Sequence, residues 1–157
     1  MAEPLADQIM QKVRYATELY HRLMLVVAPA GAGKTTALSD VRYRTGASLV
    51  NVNLELSRRM LELTQIQRAL QVPRLLREVV GNGDEMILLD NIEVVFDVDL
   101  KQDPIRLLQG LSRNKIVVAA WNGTIVGEFL TYATPDHPEY RRYPIRDFLV
   151  ASPEVMT

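Results

Sequence analysis

The order of apolar and polar positions along the chain predicts helices that alternate with strands. Near the amino terminus, apolar residues recur every three or four positions from Leu5 to Tyr20, which predicts an amphipathic helix over residues 4–22. Residues 23–28 (LMLVVA) then form a continuous apolar run, and a glycine-rich loop leads into a second helical segment over 34–44. An uninterrupted apolar run of this kind is typical of a strand that is buried on both faces.

The rest of the chain continues this alternation. Further strands are predicted over residues 48–54, 85–90 and 115–121, and a last apolar run covers 148–152. Helical spacing extends from Leu56 to Leu70, Pro73 is placed to open a further short helix, and residues 103–113 predict another helix. Apolar strands separated by helices predict one three-layer α/β domain over residues 1–157, with a mostly parallel sheet of five strands.

Residues 122–147 do not follow this alternation. They combine one run of alternating polarity, a turn signal at Asn122-Gly123 and three prolines. This mixture predicts a hairpin or an extended excursion from the sheet rather than another helix.

Composition narrows the classes of protein that this pattern allows. With 157 residues, of which 48% are apolar, the chain has enough material for one well-packed domain. The net charge of −1 gives no overall basic field, so nucleic-acid binding would need a local basic patch. Arginine supplies 14 of the 18 basic residues, which weakly favours phosphate or carboxylate binding and subunit interfaces.

Two features of the sequence bear on its cellular compartment. The chain contains no cysteine, which excludes disulfides and thiolate metal sites. The amino terminus is acidic and polar, and the longest apolar runs are too short to span a bilayer, so neither a signal peptide nor a transmembrane helix is expected. Together these features predict a cytoplasmic protein with no membrane partner.

The segment APAGAGKT, residues 28–35, carries the clearest functional motif. It lies between an apolar strand and the start of a helix, where a phosphate-binding loop of the form G-x-x-x-x-G-K-[ST] belongs. Its glycines let the backbone N–H groups point at phosphate oxygens, and the helix amino terminus adds partial positive charge. We expect Lys34 to contact the β- and γ-phosphates of ATP and the Thr35 hydroxyl to bind Mg²⁺. The predicted nucleotide-binding residues are Pro29, Ala30, Gly31, Ala32, Gly33, Lys34, Thr35 and Thr36.

The first position of the motif is Ala28 rather than glycine. Alanine would fail at this position only if the backbone there had to adopt a positive φ. We therefore expect Ala28 to be compatible with a phosphate site. The alternative is a glycine-rich turn that precedes Lys34 and Thr35 by chance.

A partner carboxylate is predicted at Asp90. It follows four apolar residues in the strand MILLD, some 55 positions after the loop, as the second (Walker B) motif does in P-loop ATPases. Such an aspartate holds Mg²⁺ through its water shell. The alternative is that Asp90 caps a helix that starts within DNIEVVF.

The next residue raises the question of hydrolysis. Many ATPases of the AAA+ and related classes have a glutamate there that orients the attacking water, whereas this chain has Asn91. An amide cannot take up a proton, so hydrolysis is expected to be slow unless another carboxylate serves. Glu93 is the nearest candidate, and the alternative for it is an exposed glutamate in the first turn of a helix.

Two further elements match positions that are functional in AAA+-like proteins. Asn122 ends the strand KIVVAAW, where a polar residue often contacts the γ-phosphate or its water, although a simple Asn-Gly turn is an equal alternative. Arg141, Arg142 and Arg146 precede the last strand, where such proteins carry an arginine finger into a neighbouring subunit's site. Surface arginines without that role are the commoner case.

Other P-loop classes fit less well. A GTPase would need Asn-Lys-x-Asp, but residues 114–117 are NKIV, and a small-molecule kinase would need an arginine-rich lid that is not evident. The additional strand before Asp90 favours the ATPase branch. Because the chain ends soon after the last strand, we expect no helical lid over the base, so nucleotide affinity should be weak or depend on oligomerisation or another protein.

The combination of APAGAGKTTAL, SLVNVNLELSRRM, MILLDNIEVVF, VVAAWNG and HPEYRRY resembles the BrxF family, the small P-loop proteins of type 3 bacteriophage exclusion (BREX) systems. The resemblance covers nearly the entire chain; DNIEVVF and HPEYRRY are its most specific parts. It implies a cytoplasmic bacterial defence complex that restricts phage DNA. In that complex the chain would be a nucleotide-dependent component beside a DNA methyltransferase and larger ATPase subunits.

The leading hypothesis is therefore an AAA+-like ATP-binding subunit that forms a homo-oligomer, with slow or partner-dependent hydrolysis. A second hypothesis is a non-catalytic assembly or DNA-binding module with a vestigial nucleotide site, in which Arg58 and Arg59 would face DNA. A small-molecule kinase is a third.

Overall fold

A computed structural model describes residues 4–153, which form an α/β fold with helices on both faces of a mostly parallel sheet. The helices are α1 (Leu5–Ala16), α2 (Lys34–Thr45), α3 (Val52–Met60), α4 (Gln65–Val80) and α5 (Pro104–Leu111). The strands are β1 (Leu23–Ala28), β2 (Ser48–Asn51), β3 (Met86–Asp90), β4 (Ile116–Val126), β5 (Phe129–Tyr132), β6 (Arg141–Pro144) and β7 (Leu149–Ala151). Two short 3₁₀ helices, Glu93–Phe96 and Val98–Leu100, follow β3.

The parallel part of the sheet has the strand order β2-β3-β4-β1-β7. These are the five strands that the apolar runs predict. Among the described residues the sheet has seven strands, because β5 pairs antiparallel with the second half of β4, and β6 pairs with β5. The hairpin or excursion expected within residues 122–147 is thus an antiparallel extension of the sheet.

Side chains of β1 alternate between two hydrophobic cores. Leu25 and Val27 pack in a core with residues of α3, α4 and α5, whereas Met24 and Val26 pack in a second core with residues of α1 and α2. All six residues of β1 are buried, since helices cover both faces of the sheet. This burial explains why all six residues of β1 are apolar.

The first helix is shorter than predicted, because it ends at Ala16 rather than at residue 22. Tyr20 is 69% exposed and does not belong to the buried face. His21 donates through Nδ1 to the Gln109 carbonyl at 3.1 Å, and Arg22 donates its N–H to the Ser112 carbonyl at 2.7 Å. These bonds hold the segment around His21 and Arg22 against the end of α5 and direct the chain into β1. A continued helix is incompatible with this path.

Helix α1 is joined to β7 by polar side chains. Gln8 donates through Nε2 to the Ser152 carbonyl at 3.0 Å and accepts the Ser152 N–H at 3.3 Å. Lys12 donates through Nζ to the Val150 carbonyl at 2.6 Å. Gln8 is itself buried, so the helix contacts the sheet through hydrogen bonds as well as through apolar packing.

The second strand ends earlier than predicted, at Asn51 instead of residue 54. The Asn51 side chain accepts the N–H of Leu54 at 3.1 Å and thereby caps α3. Asparagine is a favoured N-cap residue because its side-chain oxygen satisfies one of the free N–H groups of the first turn. A helix therefore starts where the apolar pattern alone predicts extended chain.

Pro73 does not open a helix, because it lies inside α4. The helix starts earlier, where Thr64 and Gln67 form a reciprocal capping box. Proline has no N–H, so it cannot bond to the carbonyl four residues before it, which is that of Ala69. Gln102 donates to this carbonyl through Nε2 at 2.7 Å and so replaces the missing helical bond.

Replacing Gln102 with leucine is expected to lower the free energy of unfolding by about 1 kcal/mol, because the Ala69 carbonyl loses its donor. The loss should be smaller in a Pro73→Ala background, since the alanine introduced there would itself supply an N–H to the Ala69 carbonyl. Denaturant unfolding of the two single variants and the double variant checks this coupling. Equal losses from Gln102→Leu in both backgrounds would contradict it.

The hairpin turn also lies elsewhere than the sequence indicates. Asn122 and Gly123 are inside β4, and the turn consists of Gly127 and Glu128, with Gly127 at a φ of 60°. Gly123 is required for a different reason: an added Cβ would lie 1.8 Å from the Thr131 carbonyl oxygen. Trp121 donates through Nε1 to that same oxygen at 3.0 Å. The simple Asn-Gly turn is therefore wrong as an interpretation of this pair.

Aromatic side chains join the hairpin to the 3₁₀ helix after β3. Phe96 stacks on Tyr132 with ring centroids 3.5 Å apart and meets Trp121 edge-on at 5.0 Å. These contacts hold the helix Glu93–Phe96 against β4 and β5. None of the helices within residues 4–153 has the length and hydrophobicity needed to span a membrane.

Candidate functional site

A cavity of about 320 Å³ lies at the carboxyl ends of the parallel strands. Parallel pairing aligns Ala28 at the end of β1 with Asn122 in β4, and β3 runs beside β4 with Asp90 at its end. The predicted site residues therefore converge at one edge of the sheet. The cavity is lined by Ala30, Gly31, Gly33, Lys34, Thr35, Thr36, Asp90, Asn91, Glu93 and Asn122.

The loop between β1 and α2 contains two glycines in the left-handed conformation. Gly31 and Gly33 have φ values of 78° and 92°, in the left-handed region that favours glycine. Gly33 is also the N-cap of α2 and supplies no side chain to the first-turn N–H groups. The N–H groups that start a helix have no partner within it, so those of Lys34 and Thr35, two residues that line the cavity, can serve as donors.

Two of the predicted nucleotide-binding residues, Pro29 and Ala32, do not line the cavity. Ala32 donates its N–H to the Pro29 carbonyl at 3.2 Å, and this bond closes the turn of the loop. Ala28, the first position of the motif, lies in β1, is buried, and is absent from the described residues that have a positive φ. The prediction that alanine is compatible with this position is confirmed for the backbone.

Lys34 is held at the base of the loop and is only 7% exposed. Its Nζ donates to the carbonyls of Ala28 and Pro29, each at 2.8 Å. Burial lowers the pKa of Lys34 from its ordinary value, and the carboxylates of Glu93 and Asp90 act in the opposite direction. The cavity thus contains one cation from α2 and two anions from the end of β3 and the segment after it.

Asp90 bonds across the cavity to the start of α2. The Thr35 hydroxyl donates to Asp90 Oδ2 at 2.7 Å, and the backbone N–H of Asn91 donates to Asp90 Oδ1 at 2.9 Å. The following 3₁₀ helix has Ile92 as its N-cap and no side-chain cap. The alternative that Asp90 caps a helix is therefore wrong, because its carboxylate is directed at Thr35.

The donor set at Thr35 and Asp90 fits Mg²⁺. Hydroxyl and carboxylate oxygens are the ligands that this ion prefers, and it usually retains several waters and binds substrate phosphates. Within residues 4–153, no group of three or more His, Asp or Glu side chains could hold a metal alone. Mg²⁺ would therefore be shared between these two residues, phosphate oxygens and water, and it would neutralise negative charge on the phosphates.

Glu93 and Asn122 form a second polar pair in the cavity. Asn122 donates through Nδ2 to Glu93 Oε1 at 2.7 Å, and both side chains are half-buried. Glu93 is thus not the exposed first-turn glutamate of the alternative interpretation. Asn91 also lines the cavity, but its side chain is exposed and its φ is 53°.

The candidate arginines lie outside the cavity. On β6, Arg141 donates to the Gln102 carbonyl at 3.1 Å, and the Arg142 guanidinium lies 3.6 Å from the Phe129 ring centroid. On α3, Arg58 and Arg59 both pair with Glu55. The arginine finger concerns a neighbouring molecule and stays a prediction, whereas the pairing with Glu55 is typical of a solvated helix surface.

Sequence patterns do not point to Tyr132, which lies on β5 near this site. Burial, followed by the charges of Glu93 and Glu139, raises the pKa of Tyr132 to about 12. The alternating run over residues 124–132 could have indicated an inward-facing tyrosine. The distance between this tyrosine and Glu93, however, depends on how β4 and β5 pair in the hairpin.

Comparison with known proteins adds no relative to this description. The chain matches no protein-family model, and no curated protein matches it. The chemistry of the site therefore follows from its geometry alone. That geometry combines helix N–H groups and a buried lysine, which suit an anion, with two oxygen ligands, which suit a divalent cation.

Proposed function

We propose that this chain is a P-loop ATPase of AAA+-like type that binds ATP together with Mg²⁺. The observation that carries the proposal is the 2.7 Å bond between Thr35 and Asp90, next to Lys34. This bond brings the hydroxyl after the loop lysine to the acidic residue of another strand, which is where P-loop enzymes hold the metal. When ATP binds, the Lys34 ammonium would donate hydrogen bonds to phosphate oxygens in place of the carbonyls of Ala28 and Pro29.

The strand order supports the ATPase branch over the GTPase branch. β4 lies between β1, which precedes the loop, and β3, which ends at Asp90. In space, β4 therefore separates the strand before the phosphate loop from the strand that ends at Asp90. In sequence, these two strands are separated by β2, which lies at the edge of the sheet. No aromatic side chain among residues 4–153 lines the cavity, which favours contacts to the base from elsewhere.

The setting proposed for this activity is the one that the sequence resemblance implies. The chain would act as a homo-oligomeric, nucleotide-dependent subunit of a phage-defence complex of the BREX type, near DNA. Hydrolysis is proposed to be slow without partners, because Asn91 occupies the position of the usual glutamate and another carboxylate would have to act from a different position.

Replacing Lys34 with alanine is expected to weaken ATP·Mg²⁺ binding by about 10- to 100-fold, because charge-assisted hydrogen bonds to the phosphates are lost. Isothermal titration calorimetry of the purified chain measures this change. The matched control is Arg42→Ala, which removes an exposed cation from the last turn of the same helix and should leave the affinity unchanged. Equal affinity in the wild-type and Lys34→Ala proteins would refute the proposed site.

A further inference from the structure

Asn91 sets the backbone conformation between β3 and the 3₁₀ helix that follows it. Its φ of 53° lies in the left-handed region, which asparagine tolerates better than most residues with a Cβ. Its N–H bonds to Asp90 Oδ1, and its carbonyl accepts the N–H of Asn53 at 2.9 Å. Its side-chain amide makes no hydrogen bond to any residue between 4 and 153. Asn91 therefore turns the chain sharply between β3 and the 3₁₀ helix.

This turn returns the chain to the cavity at Glu93. The 3₁₀ helix begins at Glu93 and is anchored at its other end by Phe96, which stacks on Tyr132. The Glu93 carboxylate has two oxygens, and only Oε1 is needed to accept from Asn122. The second oxygen remains able to accept a hydrogen bond from water. The carboxylate is thus oriented by the anchored helix on one side and by an amide on β4 on the other.

The Glu93 carboxylate lines the same cavity as Lys34, whose ammonium would contact phosphate. Asp90, the other carboxylate of the cavity, is engaged by Thr35, which leaves Glu93 as the carboxylate that can accept from a water beside the phosphates.

We infer that Glu93 is the catalytic carboxylate of this site, that Asn122 is its positioning residue, and that Asn91 supplies only the turn between Asp90 and Glu93. The inference rests on the proposed ATPase function and deepens it. In the step, the oxygen of water forms a bond to the γ-phosphorus while one of its protons passes to Glu93. The bond from that phosphorus to the bridging oxygen breaks, and ADP leaves with the electron pair. Glu93 then returns the proton to phosphate or solvent.

The first test is Glu93→Gln, measured by single-turnover release of phosphate from ATP. We expect turnover to fall about 10²- to 10⁴-fold, the usual contribution of a general base, with ATP·Mg²⁺ affinity retained. Glu18→Gln, which neutralises an exposed glutamate before β1, is the matched control. Phosphate release that is equal in the wild-type and Glu93→Gln proteins would overturn the assignment. Absence of ATP binding by the wild-type protein would instead refute the proposed function itself.

The second test separates positions 91 and 93. Asn91→Gly retains access to the left-handed conformation and should change turnover far less than Glu93→Gln does. Introducing Asn91→Glu into the Glu93→Gln protein should not restore turnover, because the side chain at 91 is exposed and is not the group that Asn122 holds. Restoration by that double variant would show that position 91 is catalytic and would overturn the inference.

The third test concerns Asn122. Asn122→Ala should lower kcat by about 10- to 100-fold with KM unchanged, since a hydrogen bond to a charged group is lost. In the Glu93→Gln background the same substitution should have little further effect, because the group that it orients is already inactive. Fully multiplicative losses would mean that Asn122 acts on the phosphate independently, which would overturn its role as a positioning residue.

Discussion

Replacing Gly123 with alanine is expected to force β4 and β5 apart. The added methyl group would lie 1.8 Å from the Thr131 carbonyl oxygen and 2.9 Å from Trp121 Nε1. Because the nearest obstacle is backbone, no side-chain rotation relieves the clash. We expect the free energy of unfolding to fall by about 3 kcal/mol or more, the upper part of the range for overpacked sites.

Tryptophan fluorescence reports this change directly, because Trp121 is the single tryptophan of the chain and donates to the same carbonyl. The control is Gly110→Ala in α5, where an added Cβ has nothing within 4 Å. That substitution should stabilise the protein by about 0.5–1 kcal/mol, because alanine is the better helix former. If Gly123→Ala unfolds at the wild-type denaturant concentration with unchanged emission, the close approach of the strands is wrong.

Replacing Asp90 with asparagine is expected to remove the effect of Mg²⁺ on nucleotide binding. The amide keeps the shape of the side chain and can still accept from Thr35, but it lacks the negative charge that holds the metal and its water shell. We expect affinity for ATP in the presence of Mg²⁺ to fall by about 10- to 100-fold, the usual range for a lost outer-shell ligand. Affinity measured with a chelator should change little.

The control for this experiment is Asp99→Asn, which neutralises an exposed aspartate in the second 3₁₀ helix, outside the cavity. Titrations of both variants with ATP, with Mg²⁺ and with EDTA, separate a metal effect from a general loss of charge. A full Mg²⁺ response in Asp90→Asn would contradict the assignment of Asp90 as a metal ligand.

Much of the fold could be predicted from the sequence, because the parallel strands other than β2 are apolar runs, and each is bounded by a loop or a helix. The errors lie at element ends, where single polar side chains decide. Asn51 ends β2 by capping α3, and Pro73 is tolerated within α4 because Gln102 bonds to the carbonyl that proline cannot reach. Apolar periodicity contains no information about either contact.

The candidate site was predictable where its residues belong to one short segment of sequence, and not where residues from distant segments meet. Lys34 and Thr35 belong to one short motif, and Asp90 ends a recognisable strand, so local sequence suffices for them. The pair Glu93 and Asn122 is separated by 29 residues and meets only because β3 and β4 are neighbours and Asn91 reverses the chain. The sequence pattern around Gly123 indicates a turn, whereas the need for glycine there comes from the close approach of β5.

The bonds between α1 and β7 have a consequence for association. β7 is the last strand at its end of the parallel order, and an exposed edge strand invites pairing with another chain and aggregation. The Gln8 amide presents both a donor and an acceptor to Ser152, much as a neighbouring strand would, and Lys12 occupies the Val150 carbonyl. The first helix thereby covers part of this edge of the sheet and disfavours strand addition there.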